Sequence, residues 1–385
     1  MRPSRTFVAL TLAFAAASFQ HRAGASTHAE TLQRAHSLAA LGRSMFFDPS
    51  LSRSGRLSCA SCHHPDFAYA PPNALAVQPG GRDLRQSGIR AVPSLRYLQA
   101  LPQFTEHYFG SDDDGDDSLD NGPTGGLTWD GRVDRARNQA RLPLFSPREM
   151  ANTGEASVVA AAEKAPYAED LKKLSPPGVR ERFDTILEAL EAWQQDERQF
   201  YPYSSKYDAF LAGETTLTLP ETRGLRLFTD PQKGNCAQCH IATRGANGTP
   251  PQFTDYGFIA LGLPRNPEIP ANADPQWFDL GLCGPERTDL RDKPDYCGRF
   301  ITPTLRNAAT RRAFFHNGVF HTLRDAVAFY STRDNALADL PARYRPNITT
   351  DPPFGRKLSD PEIDDIVAFL GTLTDGFRTA PKADR

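Results

Sequence analysis

Two copies of a five-residue pattern constrain this chain more than any other feature: Cys59-Ala-Ser-Cys62-His63 and Cys236-Ala-Gln-Cys239-His240. In C-x-x-C-H the two thiols can add across the vinyl groups of a haem, and the adjoining imidazole can bind its iron. The attachment is covalent, so the chain must fold around two porphyrins. A redox C-x-x-C or half of a zinc site is the alternative. Each copy has its His immediately adjacent, however, and no second C-x-x-C completes a zinc set.

A helical period over Ala29–Phe47 places Leu32, Ala35, Leu38, Ala39 and Met45 near one face and leads through Asp48-Pro49 to the first motif. The layout recurs. Leu41-Gly-Arg-Ser-Met-Phe-Phe-Asp-Pro49 aligns with Arg223-Gly-Leu-Arg-Leu-Phe-Thr-Asp-Pro231, five residues before Cys236. A repeated helix, Asp-Pro stop and C-x-x-C-H predict an all-α fold of two cytochrome c-like helical domains, residues 26–200 and 201–385, each with one covalently bound c-type haem. Val179–Phe200 reads as one amphipathic helix carrying Phe183, Ile186, Leu187, Leu190 and Trp193, with Tyr201-Pro202 opening the linker. Strand patterns are scarce, and the Pro-rich stretches 264–275 and 341–353 read as loops.

Arg2 and Arg5 precede an apolar run from Phe7 to Phe19 and then Ala23-Gly24-Ala25, the layout of a signal peptide over residues 1–25. A membrane anchor is the alternative, although the run is too short to span a bilayer and no later stretch is apolar enough. The expected compartment is therefore the periplasm. Cys283 and Cys297 remain outside the haem motifs, and in an exported protein an even remainder suggests a disulfide, with two free thiols the alternative. A formal charge of −2, without a basic stripe, gives no reason to expect nucleic acid. The acidic run Ser111–Asp120 lacks the bidentate Glu of a full calcium loop and reads as a solvated surface segment.

With Leu41–Pro49 before the first motif, Trp129-Asp-Gly-Arg132, Gln139, Pro143 and Glu149 follow it, and Pro303-Thr-Leu-Arg-Asn307 and Phe315-His-Asn-Gly318 follow the second. In this combination the chain resembles the bacterial di-haem cytochrome c peroxidase/MauG family from about Leu41 to Leu373. The resemblance implies a periplasmic peroxidase that uses H2O2 to oxidise an electron-donor protein, or a side chain on a partner protein, through high-valent iron. It also implies that Trp129 lies between the haems as an electron conduit and that Gln139, Pro143 and Glu149 line the distal pocket of the first. The chemistry agrees, because peroxide cleavage needs a group that carries a proton from one oxygen to the other, and a carboxyl in an apolar pocket has a raised pKa suited to that. Read alone, Glu149 would be a surface acid and Trp129 a core aromatic.

Two departures from the family pattern bear on the first haem. Inactive-as-isolated members carry a His about sixteen residues after the proximal one, but here Ala76–Arg82 contains none, so the iron beside His63 is expected to be open. The family's R-N-x-P, whose Asn helps hold a calcium between the haems, reads Arg90-Ala91-Val92-Pro93, which leaves calcium a candidate cofactor short of one ligand.

For the second haem no Met follows Cys236, and the family spacing of fourteen residues from His316 lands on Tyr330, the residue MauG-type members use as sixth ligand. Thr322 caps a helix whose Leu323, Ala326, Val327 and Tyr330 share a face. A core tyrosine with His321 as ligand is the alternative. A phenolate stabilises ferric and higher states, which favours MauG-like sharing of oxidising power over a simple relay. The tryptophan that MauG carries two residues before its second motif is Gly234 here, so the exit path differs. Rival readings are a non-catalytic di-haem electron-transfer cytochrome, with both irons six-coordinate, and an ordinary cytochrome c peroxidase, which would want Met at position 330.

Overall fold

The computed structural model describes residues 27–109, 120–245, 248–333, 338–350, 354 and 357–378; the expected signal peptide and residues 111–119 of the acidic run lie outside them. The chain is mostly helical. Among the described residues α1 (His28–Phe46), α2 (Cys59–Cys62), α3 (Ala136–Phe145), α4 (Glu155–Ala162), α5 (Ala168–Leu174), α6 (Val179–Trp193) and α7 (Glu197–Phe200) precede residue 201. Then follow α8 (Lys206–Leu211), α9 (Leu219–Thr229), α10 (Leu323–Thr332) and α11 (Asp360–Gly371). Strand is confined to two antiparallel pairs, β1 (Pro79–Gly80) with β2 (Gln86–Ser87) and β3 (Phe258–Ile259) with β4 (Phe300–Ile301). No helix among the described residues is long and apolar enough to cross a membrane.

Each half is built on one close helix crossing, and a glycine makes each crossing possible. On Gly42 of α1 a Cβ would stand 1.8 Å from the Ala189 carbonyl oxygen of α6; on Gly224 of α9 it would stand 1.9 Å from the Asp365 carbonyl oxygen of α11. The two glycines occupy the same place in the internal repeat. Around the first crossing Leu38, Leu41, Met45 and Phe46 pack with Phe183, Ile186, Leu187, Leu190 and Trp193. Around the second, Phe228 packs with Phe253, Ile366, Phe369 and Leu370.

Local chemistry fixes the helix ends. Reciprocal capping boxes start α1 (Thr27 and Glu30), α9 (Thr218 and Glu221) and α11 (Ser359 and Glu362). Past α1 the Asp48 carboxylate accepts the Ser50 N–H, and past α9 the Asp230 carboxylate accepts the Gln232 N–H, both at 2.8 Å. The repeated Asp-Pro is thus a side-chain turn that directs the chain toward its haem motif.

Two expectations need correction. Leu32, 47% exposed, and Ala35 stand clear of the core, because α1 is buried only from Leu38 onward and meets α6 before that through the exposed Arg34–Glu188 ion pair. The helix expected over Val179–Phe200 is two helices. After Trp193 the chain turns, and Asp196 caps α7 by accepting the Gln199 N–H at 3.2 Å.

The halves interlock. Phe104 packs on Phe258, and Thr124 bridges to Gly257. Asp375, just beyond α11, accepts from Arg96, Tyr97 and Asn307 at 2.7–2.9 Å. Cys283 and Cys297 are disulfide-bonded beside β4, with Cα atoms 5.0 Å apart.

Adding a methyl at either crossing must push two backbones apart. Gly42→Ala and Gly224→Ala should each destabilise the haem-loaded protein by about 1–3 kcal/mol. At Gly371, where a Cβ would meet nothing within 4 Å, Ala should be close to neutral. Thermal melts of the three variants against wild type check this, and unchanged melting of the first two would contradict the crossings.

Candidate active site

One cavity of about 520 Å³ runs through both halves, and all four thiols outside the disulfide lie on its wall: Cys59, Cys62, Cys236 and Cys239. Burial pushes each thiol up to about 12, so all four are neutral. His63 and His240 share the wall. His63 Nδ1 donates to the Tyr69 carbonyl at 3.0 Å, and His240 Nδ1 donates to the Phe253 carbonyl at 2.9 Å. A carbonyl can only accept, so each Nδ1 carries the hydrogen and each Nε2 keeps its lone pair for a metal. Burial lowers both imidazoles to about 4, which holds them neutral. Two thiols and one oriented imidazole in each half fit a c-type haem twice over.

A second repeat brings one further carbonyl to each imidazole. Val92-Pro-Ser-Leu-Arg96 and Thr302-Pro-Thr-Leu-Arg306 bring the Pro93 and Pro303 carbonyls to His63 and His240, and each segment ends in a left-handed residue, Tyr97 (φ 64°) and Asn307 (φ 61°). Sequence reading noted only the second copy. The shared P-[S/T]-L-R was the available signal.

On the first side, α3 carries Gln139 and Pro143 one turn apart, both on the cavity wall. Pro143 cannot donate to the Gln139 carbonyl, so α3 loosens before its end. The turn that follows presents Glu149. Its N–H donates to Ser146 O at 3.0 Å, its carbonyl accepts the Gly81 N–H at 2.7 Å, and Ala151 takes φ 57° to close the turn. Gly80 lies flat against this turn, where a Cβ would meet Arg148 O at 2.0 Å. The histidine-free stretch before Arg82 thus folds as the β1–β2 hairpin that clamps Glu149.

Glu149 lines the cavity and keeps exposed surface. Burial raises its pKa, the Ser146 hydroxyl and the Arg132 charge pull the other way, and Glu286 adds to the rise. Its charge in turn reaches Cys59 and Cys62.

Trp129 sits between the halves, 8% exposed. Its Nε1–H donates to Ala91 O at 2.7 Å, its carbonyl accepts the Ile301 N–H at 3.0 Å, and its ring meets His316 edge-on at 6.4 Å. The Ala91 N–H donates to His316 O at 2.7 Å, so one residue joins both halves at the tryptophan. Sequence reading missed the buried ion cluster below it, in which Arg90 bridges Asp130 and Asp279 at 2.6 Å each. Ala91 has no side-chain oxygen for a cation, and no group of three or more His, Cys, Asp or Glu suited to a metal occurs among the described residues.

On the second side Thr322 caps α10, accepting the Asp325 N–H at 3.1 Å, and Leu323, Ala326, Val327 and Tyr330 all line the cavity. Tyr330 is close enough to Cys236 and Cys239 for their charges to act on it, and burial drives its phenol pKa up. His321 lies elsewhere, with Nε2 on Glu268 at 2.8 Å and Nδ1 on Arg312 O at 3.1 Å. At Gly234 a Cβ would already meet Leu227 O at 2.7 Å, so the backbone here leaves no place for a tryptophan.

Fold and site together fit a two-haem c-type protein with a carboxyl on the cavity wall on one side and a phenol on it on the other. Residues 36–216 match the di-haem cytochrome c peroxidase family. The methylamine utilization protein MauG of Paracoccus denitrificans is 34% identical over 363 residues, 88% of each chain. The cytochrome c551 peroxidase of Nitrosomonas europaea is 29% identical, over 88% of this chain and 80% of that one. The diheme peroxidase BthA of Burkholderia thailandensis superposes with a TM-score of 0.77 at 38% identity, over 88% of this chain and 86% of that one. The chain belongs to the di-haem cytochrome c peroxidase family, whose members are c-type peroxidases.

Proposed function

We propose that this is a periplasmic peroxidase that uses H2O2 to oxidise an electron-donor protein or a side chain of a partner protein. Its halves, residues 26–200 and 201–385, would each hold one haem, through Cys59, Cys62 and His63 and through Cys236, Cys239 and His240. When bound, the haems supply iron that takes a peroxide oxygen and keeps oxidising equivalents at high valence. The Cys283–Cys297 disulfide and the c-type attachment both suit an oxidising compartment.

The observation that carries this reading is a carboxyl with a raised pKa, held by its backbone at the cavity wall within electrostatic reach of the first haem motif. In its ionised form Glu149 accepts a proton from one peroxide oxygen and delivers it to the other, so that water leaves. Gln139, on the same wall, offers the peroxide a polar contact. Trp129 spans the halves and would couple them, and Tyr330 would hold the second iron together with His240. Burial alone favours the neutral phenol, so a ferric ion beside the ring is what would ionise it. Both nitrogens of His321 are engaged away from the cavity, which favours Tyr330 over it.

Glu149→Gln should leave both haem spectra nearly intact and slow the reaction with H2O2 by roughly 10²–10⁴-fold, the range for a lost acid–base group. The ionised form is the active one, so the wild-type rate should fall on acidification through a pKa above the ordinary glutamate range, and that limb should vanish in the variant. Stopped-flow mixing across pH checks both, and an unchanged rate would make Glu149 structural. Tyr330→Phe should raise the reduction potential of the second haem and change its ligation, seen by resonance Raman and potentiometry. Identical second-haem spectra would make Tyr330 a packing residue.

A further inference from the structure

Five arginines line the cavity among the described residues, and they differ in one respect. Arg90 is held by Asp130 and Asp279, Arg132 by Asp130 and Glu286, Arg148 by Glu286, and Arg306 by Asp208. Arg311 has no carboxylate partner among the described residues. Its guanidinium donates from Nη2 to Val92 O at 3.0 Å and from Nε to Ala313 O at 3.3 Å, so it joins the segment ahead of Pro93 to the segment ahead of His316. A guanidinium has five N–H donors, and the two carbonyls take two of them. The remaining donors belong to a side chain on the cavity wall, close enough to His63 for its charge to act on the imidazole.

An uncompensated cation inside a protein is costly unless something anionic meets it. Burial depresses Arg311 to about 10, with no acid among the described residues offsetting it. The backbone carbonyls fix the plane of the guanidinium without neutralising it. The missing negative charge must therefore come from whatever occupies the cavity beside His63. A haem brings two carboxylates of its own, and the planar fork of an arginine suits a carboxylate better than any other side chain does.

We propose that Arg311 is the binding residue for a propionate of the haem attached at Cys59 and Cys62, a fixed positive charge supplied by the C-terminal half to the cofactor of the N-terminal half. This rests on the haem-binding reading of the first motif. The pairing gives Arg311 two effects. It would tether the propionate edge of the cofactor to the C-terminal half, and it would place a cation beside that haem, which favours its reduced form. The contact also makes the first site depend on the fold of the second half, because Val92 and Arg311 are 219 residues apart.

The test uses haem-loaded wild type, Arg311→Lys and Arg311→Gln, with intact mass first confirming two haems in each; absence of haem from wild type would overturn the haem reading itself. In a crystal structure of the wild-type holoprotein, a guanidinium nitrogen of Arg311 should lie within hydrogen-bonding distance of a propionate oxygen of the first haem. In spectroelectrochemical titration Arg311→Gln should shift that haem to lower potential, Arg311→Lys should keep it close to wild type, and the second haem should not move. A first-haem potential unchanged in a folded, loaded Arg311→Gln would overturn the proposal. So would a holoprotein in which the guanidinium meets only the Val92 and Ala313 carbonyls. If Arg311→Gln does not accumulate, the crystal structure and the lysine variant decide.

Discussion

One hydrogen bond, made twice, sets the geometry on which the site depends: an imidazole Nδ1–H donated to a carbonyl of its own chain. The acceptors are Tyr69 and Phe253, and both hold the same left-handed backbone at φ 55°. For a bulky aromatic residue that conformation costs on the order of 1–3 kcal/mol. Both side chains are almost wholly buried, Tyr69 at 1% and Phe253 at 0% exposure, and burying such a ring contributes about 1.5–3 kcal/mol. The strain is thus offset by the core, and its product is a carbonyl aimed at a ring nitrogen. Tautomer, ring orientation and the free Nε2 lone pair all follow from it.

Around that shared device the halves diverge. Both use a glycine crossing, an Asp-Pro turn and a P-[S/T]-L-R segment. The first half then adds a turn that holds a carboxyl at the cavity wall, whereas the second adds α10, which brings a phenol to the same cavity. An acid with a raised pKa suits proton movement, and a phenol suits permanent occupation of a metal position. Trp129, fastened to Ala91 on one side and Ile301 on the other, stands where the two sites meet.

Local features of this arrangement were legible in the sequence. The two C-x-x-C-H motifs, the Asp-Pro stops, the Thr322 cap and the apolar face ending in Tyr330 are each encoded within a few residues, so pattern alone exposes them. Features that depend on a distant partner were not. Nothing near Arg311 in sequence shows that its guanidinium will meet Val92 O, and nothing near Gly42 announces the Ala189 carbonyl. Periodicity also over-extended α6, because the apolar spacing runs on through Asp196, whose carboxylate prefers to cap a new helix. In α1 the same periodicity took in Leu32, which is left about half exposed.

The proposed function requires an asymmetry: one iron open beside Glu149 and the other closed by Tyr330. Electron paramagnetic resonance of the fully oxidised holoprotein reads both coordination states at once. One high-spin and one low-spin ferric signal in equal amounts is the predicted result. Two low-spin signals would contradict it, since both irons would then be six-coordinate and peroxide would have no place to bind.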